Sequence, residues 1–266
     1  MNRKTWLILA TALIVIGGIL FAGVMMAQNW DFLKIQTTKW ETNTHTIQDP
    51  YNNISINIDT TDLMILPTEE TETSVVCFEQ EKIKHTVEVK DNTLSIQVVD
   101  TRAWYEHISI GFQSPKITVY LPQAEYGAVS VKASTADIRM ETLSAKTLDL
   151  ALSTGDMTLT NIQCMNIKAT ATTGDIHLKQ VIASQEFAVK NSTGDVILEG
   201  CDADRLKIET STGDIKGWLL SPKVFLAHAN TGSVSVPQTT EGGLCELHTN
   251  TGDIDVDALS VQVTAP

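Results

Sequence analysis

From Val129 onward the apolar residues fall at fixed distances from one recurring position, occupied by Ala136, Gly155, Gly174, Gly194, Gly213, Gly232 and Gly252. Seven residues before it stand Val129, Leu148, Ile167, Phe187, Leu206, Phe225 and Cys245. Five before it stand Val131, Leu150, Ala169, Val189, Ile208, Ala227 and Leu247. Two after it come Ile138, Met157, Ile176, Val196, Ile215, Val234 and Ile254, and seven after it Leu143, Ile162, Val181, Cys201, Leu220 and Leu259, with Thr239 the polar exception. Period-2 alternation within each copy predicts one short strand before a corner, one after it and a third inward contact.

The steps between corners are 19, 19, 20, 19, 19 and 20 residues, and a fixed period of that size marks stacked repeats. No copy buries its apolar face alone, whereas stacking like residues over like closes a continuous core. The prediction is an all-β chain: a parallel β-solenoid, β-helix-like, with rungs of about 19 residues. At about 4.8 Å per rung, seven regular rungs make a rod of roughly 34 Å. An antiparallel sandwich also has short strands and frequent turns, but it gives no reason for one signature to recur at the same corner.

Upstream, Ile54, Ile56 and Ile58 alternate into Thr61, Leu63 and Ile65 at the offsets of the later copies, so this is an outlying first copy. Strand candidates follow at Ser74–Phe78, Thr86–Val89, Leu94–Val99, His107–Phe112 and Lys116–Leu121, with turn signals at Asp91-Asn92 and Ser114-Pro115. Residues 51–128 therefore read as an irregular β lead with capping rungs, and 129–266 as the regular stack, with 51–266 one folded domain. Residues 28–50, polar and rich in Thr and Asn, read as a tether.

Residues 5–27 carry no charge, and such a run spans about 34 Å as a helix, enough to cross a bilayer. Arg3 and Lys4 precede it, so the positive-inside rule keeps residues 1–4 cytoplasmic and puts the remainder outside the cytoplasm. Trp30 and Phe32 would sit at the interface. A cleaved signal peptide is the rival, but its apolar core is shorter and ends in small residues, where this chain has Met25-Met26-Ala27.

Aromatic residues make up only 6% of the chain against 42% hydrophobic ones, which favours many thin aliphatic layers over a few large rings. Without Arg3 and Lys4 the 19 basic residues fall to 17, against 32 acidic ones. That field excludes nucleic acid and favours cations and cationic peptides. Cys77, Cys164, Cys201 and Cys245 lack the paired spacing of zinc or redox motifs and sit at different offsets; free buried thiols are expected.

The corner signature is Ser/Thr-Thr-Gly-Asp, with Asn250 in the first place of the last copy, carried by Gly155 with Asp156, Gly174 with Asp175, Gly194 with Asp195, Gly213 with Asp214 and Gly252 with Asp253. Glycine tolerates the backbone of a sharp corner, and Asp and Thr bond nearby amides. These are structural corners. Stacking in chain order puts Asp137, Asp156, Asp175, Asp195 and Asp214 in a column, with a gap at Ser233 before Asp253. A column of carboxylates also suits a hard cation, although calcium-binding nonapeptide solenoids have a different period.

His228 and His248 share an outward offset, as does Glu209, and two imidazoles with a carboxylate can hold a transition metal. Equivalent positions elsewhere hold Lys132, Ala151, Thr170 and Lys190, the mixed set of an ordinary polar face. No catalytic residue and no cofactor are expected. β-Helix enzymes place acid and base carboxylates outward, yet a catalytic residue should be singular among copies, and each Asp here already has a corner role. Of two glycosylation sequons, at Asn53 and Asn191, the second falls at an inward offset.

The apolar N-terminal segment, the strand-rich lead and these corners, at Gly155, Gly174, Gly194, Gly213 and Gly252 with their aspartates, resemble the bacterial putative-adhesin family of cell-envelope proteins, including LiaG-like members. Thr61, Ala136 and Ser233 depart from the pattern. The resemblance covers about residues 45–266. It implies a right-handed β-helix-like fold, no established catalytic residues, a place in the cell envelope and a link to envelope stress. The resulting expectation is a membrane-anchored extracytoplasmic binding or scaffold protein whose partner is a cell-wall polymer, a cationic peptide or an envelope protein. The alternatives are a β-helix enzyme acting on envelope polysaccharide and a regulatory partner of a membrane sensor.

Overall fold

The computed structural model describes residues 3–27, 29–30, 39–103 and 113–259. The strand candidate at 107–112 and Phe32 lie outside the described residues. Two units divide the chain, Met1–Trp40 with Arg102–Ser114 and Glu41–Thr101 with Pro115–Pro266. In the first, helix α1 covers Arg3–Ala27, and its stretch Lys4–Ala27 is long and apolar enough to cross a bilayer, as signal sequences also are.

The second unit is all β. Its regular part begins with β8 (Glu125–Thr135) and continues through β9 (Ile138–Thr154), β10 (Met157–Thr173), β11 (Ile176–Thr193) and β12 (Val196–Thr212). These pair in parallel, one sequence period apart, so Ile138, Met157, Ile176 and Val196 fall in one row and Leu148, Ile167, Phe187 and Leu206 in another. Both rows are buried. Each strand from β9 to β12 is twice the length that the alternation predicts because it bends without losing its pairing. At the bend Thr142, Asn161, Gln180 and Gly200 have φ of 51°, 56°, 52° and 68°. This is a second, left-handed corner six residues after the first.

Beyond β12 the spatial order departs from chain order. The remaining strands are β13 (Ile215–Leu219), β14 (Lys223–Thr231), β15 (Val234–Ser235), β16 (Gly243–Thr251) and β17 (Ile254–Ala258). β12 pairs with β16, which pairs with β14; β13 pairs with β17, which pairs with β15. The copy at Gly252 therefore lies between those at Gly213 and Gly232. Burial agrees: Cys245, Leu247 and Ile254 are fully buried, whereas Phe225 and Ala227 are only partly so and Val234 is 44% exposed.

The lead is interleaved in the same way. Its strands are β1 (Trp40–Ile47), β2 (Asn53–Ile58), β3 (Asp62–Thr68), β4 (Thr73–Gln80), β5 (Ile83–Lys90), β6 (Thr93–Asp100) and β7 (Lys116–Pro122). β2 pairs in parallel with both β6 and β8, and β3 with both β7 and β9. The copy at Thr61 thus sits directly beside the one at Ala136, 75 residues later. β5 and β6 form an antiparallel hairpin through Asp91 and Asn92, whose φ values of 48° and 60° suit a type I′ turn.

Part of the expected tether is strand: β1 pairs with β4. Its sequence, Trp-Glu-Thr-Asn-Thr-His-Thr-Ile, is polar, but its exposure alternates with Thr42, Thr44 and Thr46 outward. Threonine fits a half-buried pleated surface.

A candidate functional site: the corner ladder and its neighbours

At each corner the copies are locked to one another by three bonds. The amide of Gly174 donates to Thr193 O at 3.0 Å, and the amide of Met157 to Asp175 O at 2.9 Å. The third bond uses the side chain: the amide of Asp175 donates to Oδ1 of Asp156 at 2.8 Å. The same bond recurs from Asp137 to Asp62, Asp156 to Asp137, Asp195 to Asp175 and Asp214 to Asp195. It continues from Asp253 to Asp214 and ends with Ser233 donating to Asp253.

The column therefore has no gap at Ser233. Chain order put Ser233 between Asp214 and Asp253, but it occupies the last place, where no further amide needs a carboxylate acceptor. Its hydroxyl also donates to Asp253 Oδ1 at 2.8 Å. At the other end, Asp62 receives the amide of Asp137 and sends its own to Pro115 O.

Glycine is required here by approach as well as by dihedral angle. Gly174 has φ of 130°, and a Cβ on it would lie 1.9 Å from the carbonyl oxygen of Gly155. No L side chain fits between copies stacked so closely. Ala136, at the start of the regular series, is not among the residues with positive φ, so it needs no glycine.

The ladder leaves each carboxylate a second oxygen. In Asp214 it is taken by Lys216 Nζ at 2.6 Å. That lysine, followed by the Asp253 amide, holds the Asp214 carboxyl below the usual range. Asp253 is lowered by the Ser233 amide and then its hydroxyl.

His228 and His248 do lie side by side, with ring centroids 5.7 Å apart and planes at 9°. Glu209 adjoins His248 and not His228, because the copy at Gly252 is the inserted one. Each imidazole Nε2 meets its own strand's asparagine, Asn230 at 2.9 Å and Asn250 at 3.1 Å. Glu209 binds Lys207 at 2.8 Å. Glu209, His228 and His248 thus form a stacked polar face with each side chain engaged locally. Asn191 is 1% exposed and donates to Gly174 O and Gly194 O, in keeping with its inward offset.

A polar cluster that spacing did not reveal lies under the β4–β5 hairpin. Glu79 and His85 are 1% and 4% exposed. His85 Nδ1 is 2.8 Å from Glu79 Oε2, and its Nε2 is 3.2 Å from Thr61 Oγ1. Cys77 shares the buried face of β4 with Glu79. The available signal was Cys-x-Glu at strand periodicity, facing a histidine across a tight turn.

The parallel one-period pairing and the corner column define a repeat-built β protein. Residues 51–218 match the Toastrack DUF4097 family, and the chain belongs to that family. A Bacteroides fragilis structure described as a putative adhesin is 18% identical, covering 83% of this chain and 97% of its own, with a TM-score of 0.54. It supports the all-β fold. A Parabacteroides merdae putative adhesin is 13% identical over 85% and 98% of the two chains, with a TM-score of 0.47. A Parabacteroides distasonis putative lipid-binding protein is 15% identical over 83% and 97%, with a TM-score of 0.41. No curated protein matches the chain significantly.

Proposed function

We propose that this chain is a membrane-anchored, extracytoplasmic binding or scaffold protein of the bacterial cell envelope, adhesin-like and without enzymatic activity. Its β unit is read as a parallel solenoid with interleaved ends, supported by strand register one period apart. α1 is read as the anchor, with Arg3 and Lys4 on the cytoplasmic side.

One observation carries the reading: the corner carboxylates, the most enzyme-like feature of the sequence, form a uniform ladder in which each Oδ1 is committed to the next backbone amide. Catalysis needs a group whose surroundings differ from those of its neighbours. A repeated acidic surface instead suits a partner that is itself repetitive or cationic: a wall polymer, a cationic peptide or a basic face of an envelope protein. Beside the corners, a shallow groove of about 410 Å³ runs past Asn57, Lys132, Ala151 and Thr170 across four neighbouring copies. Small side chains keep it open.

The LiaG-like link to envelope stress belongs to the same reading. In that case the partner is a membrane protein, and exchanging α1 for an unrelated anchor should abolish its co-purification. The deciding experiment is affinity capture from detergent-solubilised envelopes with the full-length chain. A wall fragment or envelope protein released by salt supports the proposal. Turnover of an envelope glycan, lost in a single Asp→Ala variant that stays folded, refutes it.

A further inference from the structure

The buried cluster under the β4–β5 hairpin gathers three residue types that ligate metals. Cys77, Glu79 and His85 each offer a ligand atom, and these atoms lie within 4.8 Å of one another. All three residues are buried. Two of them alternate on one face of β4, and the third enters from β5 after a two-residue turn, its amide held by Glu79 Oε2 at 2.7 Å. Tetrahedral zinc with sulfur, nitrogen and oxygen donors at about 2.0–2.3 Å has ligands roughly 3.3–3.8 Å apart. His85 Nδ1 and Glu79 Oε2, 2.8 Å apart, must part by about 0.5 Å to meet that spacing while the wider separations in the group close.

The polar accounting points the same way. Glu79 accepts from Asn43 Nδ2 at 2.7 Å and from the His85 amide and Nδ1. The Cys77 sulfur faces the same carboxylate and makes no hydrogen bond among the described residues. A thiol, a carboxylate and an imidazole placed together in a dry interior are a costly arrangement for packing alone.

A fourth donor, outside that 4.8 Å group, comes from β1, the strand paired with β4. Asn43 of β1 touches Glu79, and Tyr51 touches Thr73, so the chain runs along β4 in the opposite direction. His45, two residues beyond Asn43 on the same face, falls level with Cys77, and its Nε2 is buried without a partner. The geometry points to a structural site for zinc or a similar borderline transition metal, held by Cys77, Glu79 and His85 with His45 as the fourth ligand. Thiolate and imidazole donors select such a metal over calcium or magnesium. On binding, the Cys77 S–H proton is lost to solvent as the sulfur–metal bond forms, and His85 binds through Nδ1 as a neutral imidazole that keeps its one proton on Nε2, beside Thr61 Oγ1. This inference does not rest on the binding function proposed above.

The test uses the untagged full-length chain in detergent, stripped with a chelator and then equilibrated with zinc or with cobalt as its spectroscopic stand-in. Elemental analysis should find about one equivalent per chain. Cobalt should produce a thiolate-to-metal charge-transfer band that disappears in Cys77→Ser and persists in Cys164→Ser. His85→Gln should weaken binding at least tenfold. X-ray absorption on the zinc-loaded wild-type chain, which needs no variant to fold, should count one sulfur and three lighter donors. Binding below half an equivalent, a zinc shell without sulfur, or a charge-transfer band that survives Cys77→Ser overturns the assignment.

Discussion

The amide of Asp253 donates to Oδ1 of Asp214 at 2.7 Å, although Ser233 lies between them in the chain and belongs to a complete copy of the repeat. Copies are therefore ordered in space by what each corner offers its neighbour. Asp donates through its amide and accepts through its carboxylate, so it serves anywhere inside the column; Ser233 turns both its amide and its hydroxyl back to Asp253 and ends it.

That order can be tested by cross-linking. Glu209 and His248 are register partners on adjacent strands, within the Cα separation of roughly 7 Å that a disulfide tolerates. Glu209→Cys combined with His248→Cys should oxidise to a bridge, detected by peptide mass spectrometry. Glu209→Cys with His228→Cys should stay reduced, since two strand spacings separate them by about 9.6 Å. The opposite pattern would restore chain order.

Gly174→Ala should cost about 2–5 kcal/mol, combining an unfavourable dihedral with a Cβ pressed against the Gly155 carbonyl. Denaturant unfolding of the full-length chain measures it. Ala136→Gly, at a position without positive φ, should cost no more than about 1 kcal/mol.

Asp175→Ala removes the acceptor of the Asp195 amide and should destabilise by about 1–2 kcal/mol. Asp175→Asn keeps an Oδ1 acceptor and should recover most of that loss. Equal losses in the two variants would show that charge, and not the bond, is what the column needs.

Acid should loosen the C-terminal copies. The carboxyls of Asp214 and Asp253 are lowered in the folded chain. Their contribution is therefore present above the unfolded value of about 3.9 and is lost as pH falls through the folded values. Ser233→Ala should raise the Asp253 midpoint in a carboxyl NMR titration while that of Asp214 stays in place.

Cys164, Cys201 and Cys245 are buried, and burial pushes their thiols up to about 11, 11 and 12. An alkylating reagent at neutral pH should leave them unmodified until denaturant is added. Rapid native-state labelling of Cys201 or Cys245 would show that the copies separate.

The corners and the inward offsets were legible because every copy must present the same face to its neighbours, so the period writes the core directly. Leu220 shows the limit: its offset reads inward, but the row shifts by one and Leu219 is buried instead. Spatial order was not legible, because the copies carry nearly the same apolar offsets; only Ser233 and Thr239, both in the copy at Gly232, set the end copy apart. The second corner was hidden because Thr142, Asn161 and Gln180 enter the left-handed region with side chains intact. The Cys77, Glu79 and His85 cluster joins two strands of a hairpin, outside any repeat.

The position of the copy at Gly252 also sets a constraint on how the protein is made. Its strands β16 and β17 lie between partners that leave the ribosome earlier. A chain growing from its N-terminus cannot lay down these last layers one upon the next. β14 and β15 must wait, unpaired, until the segment that separates them from β12 and β13 has emerged. Truncation before residue 243 should therefore leave exposed strand edges that attract chaperones and proteases, and resistance should come only once β16 and β17 are in place.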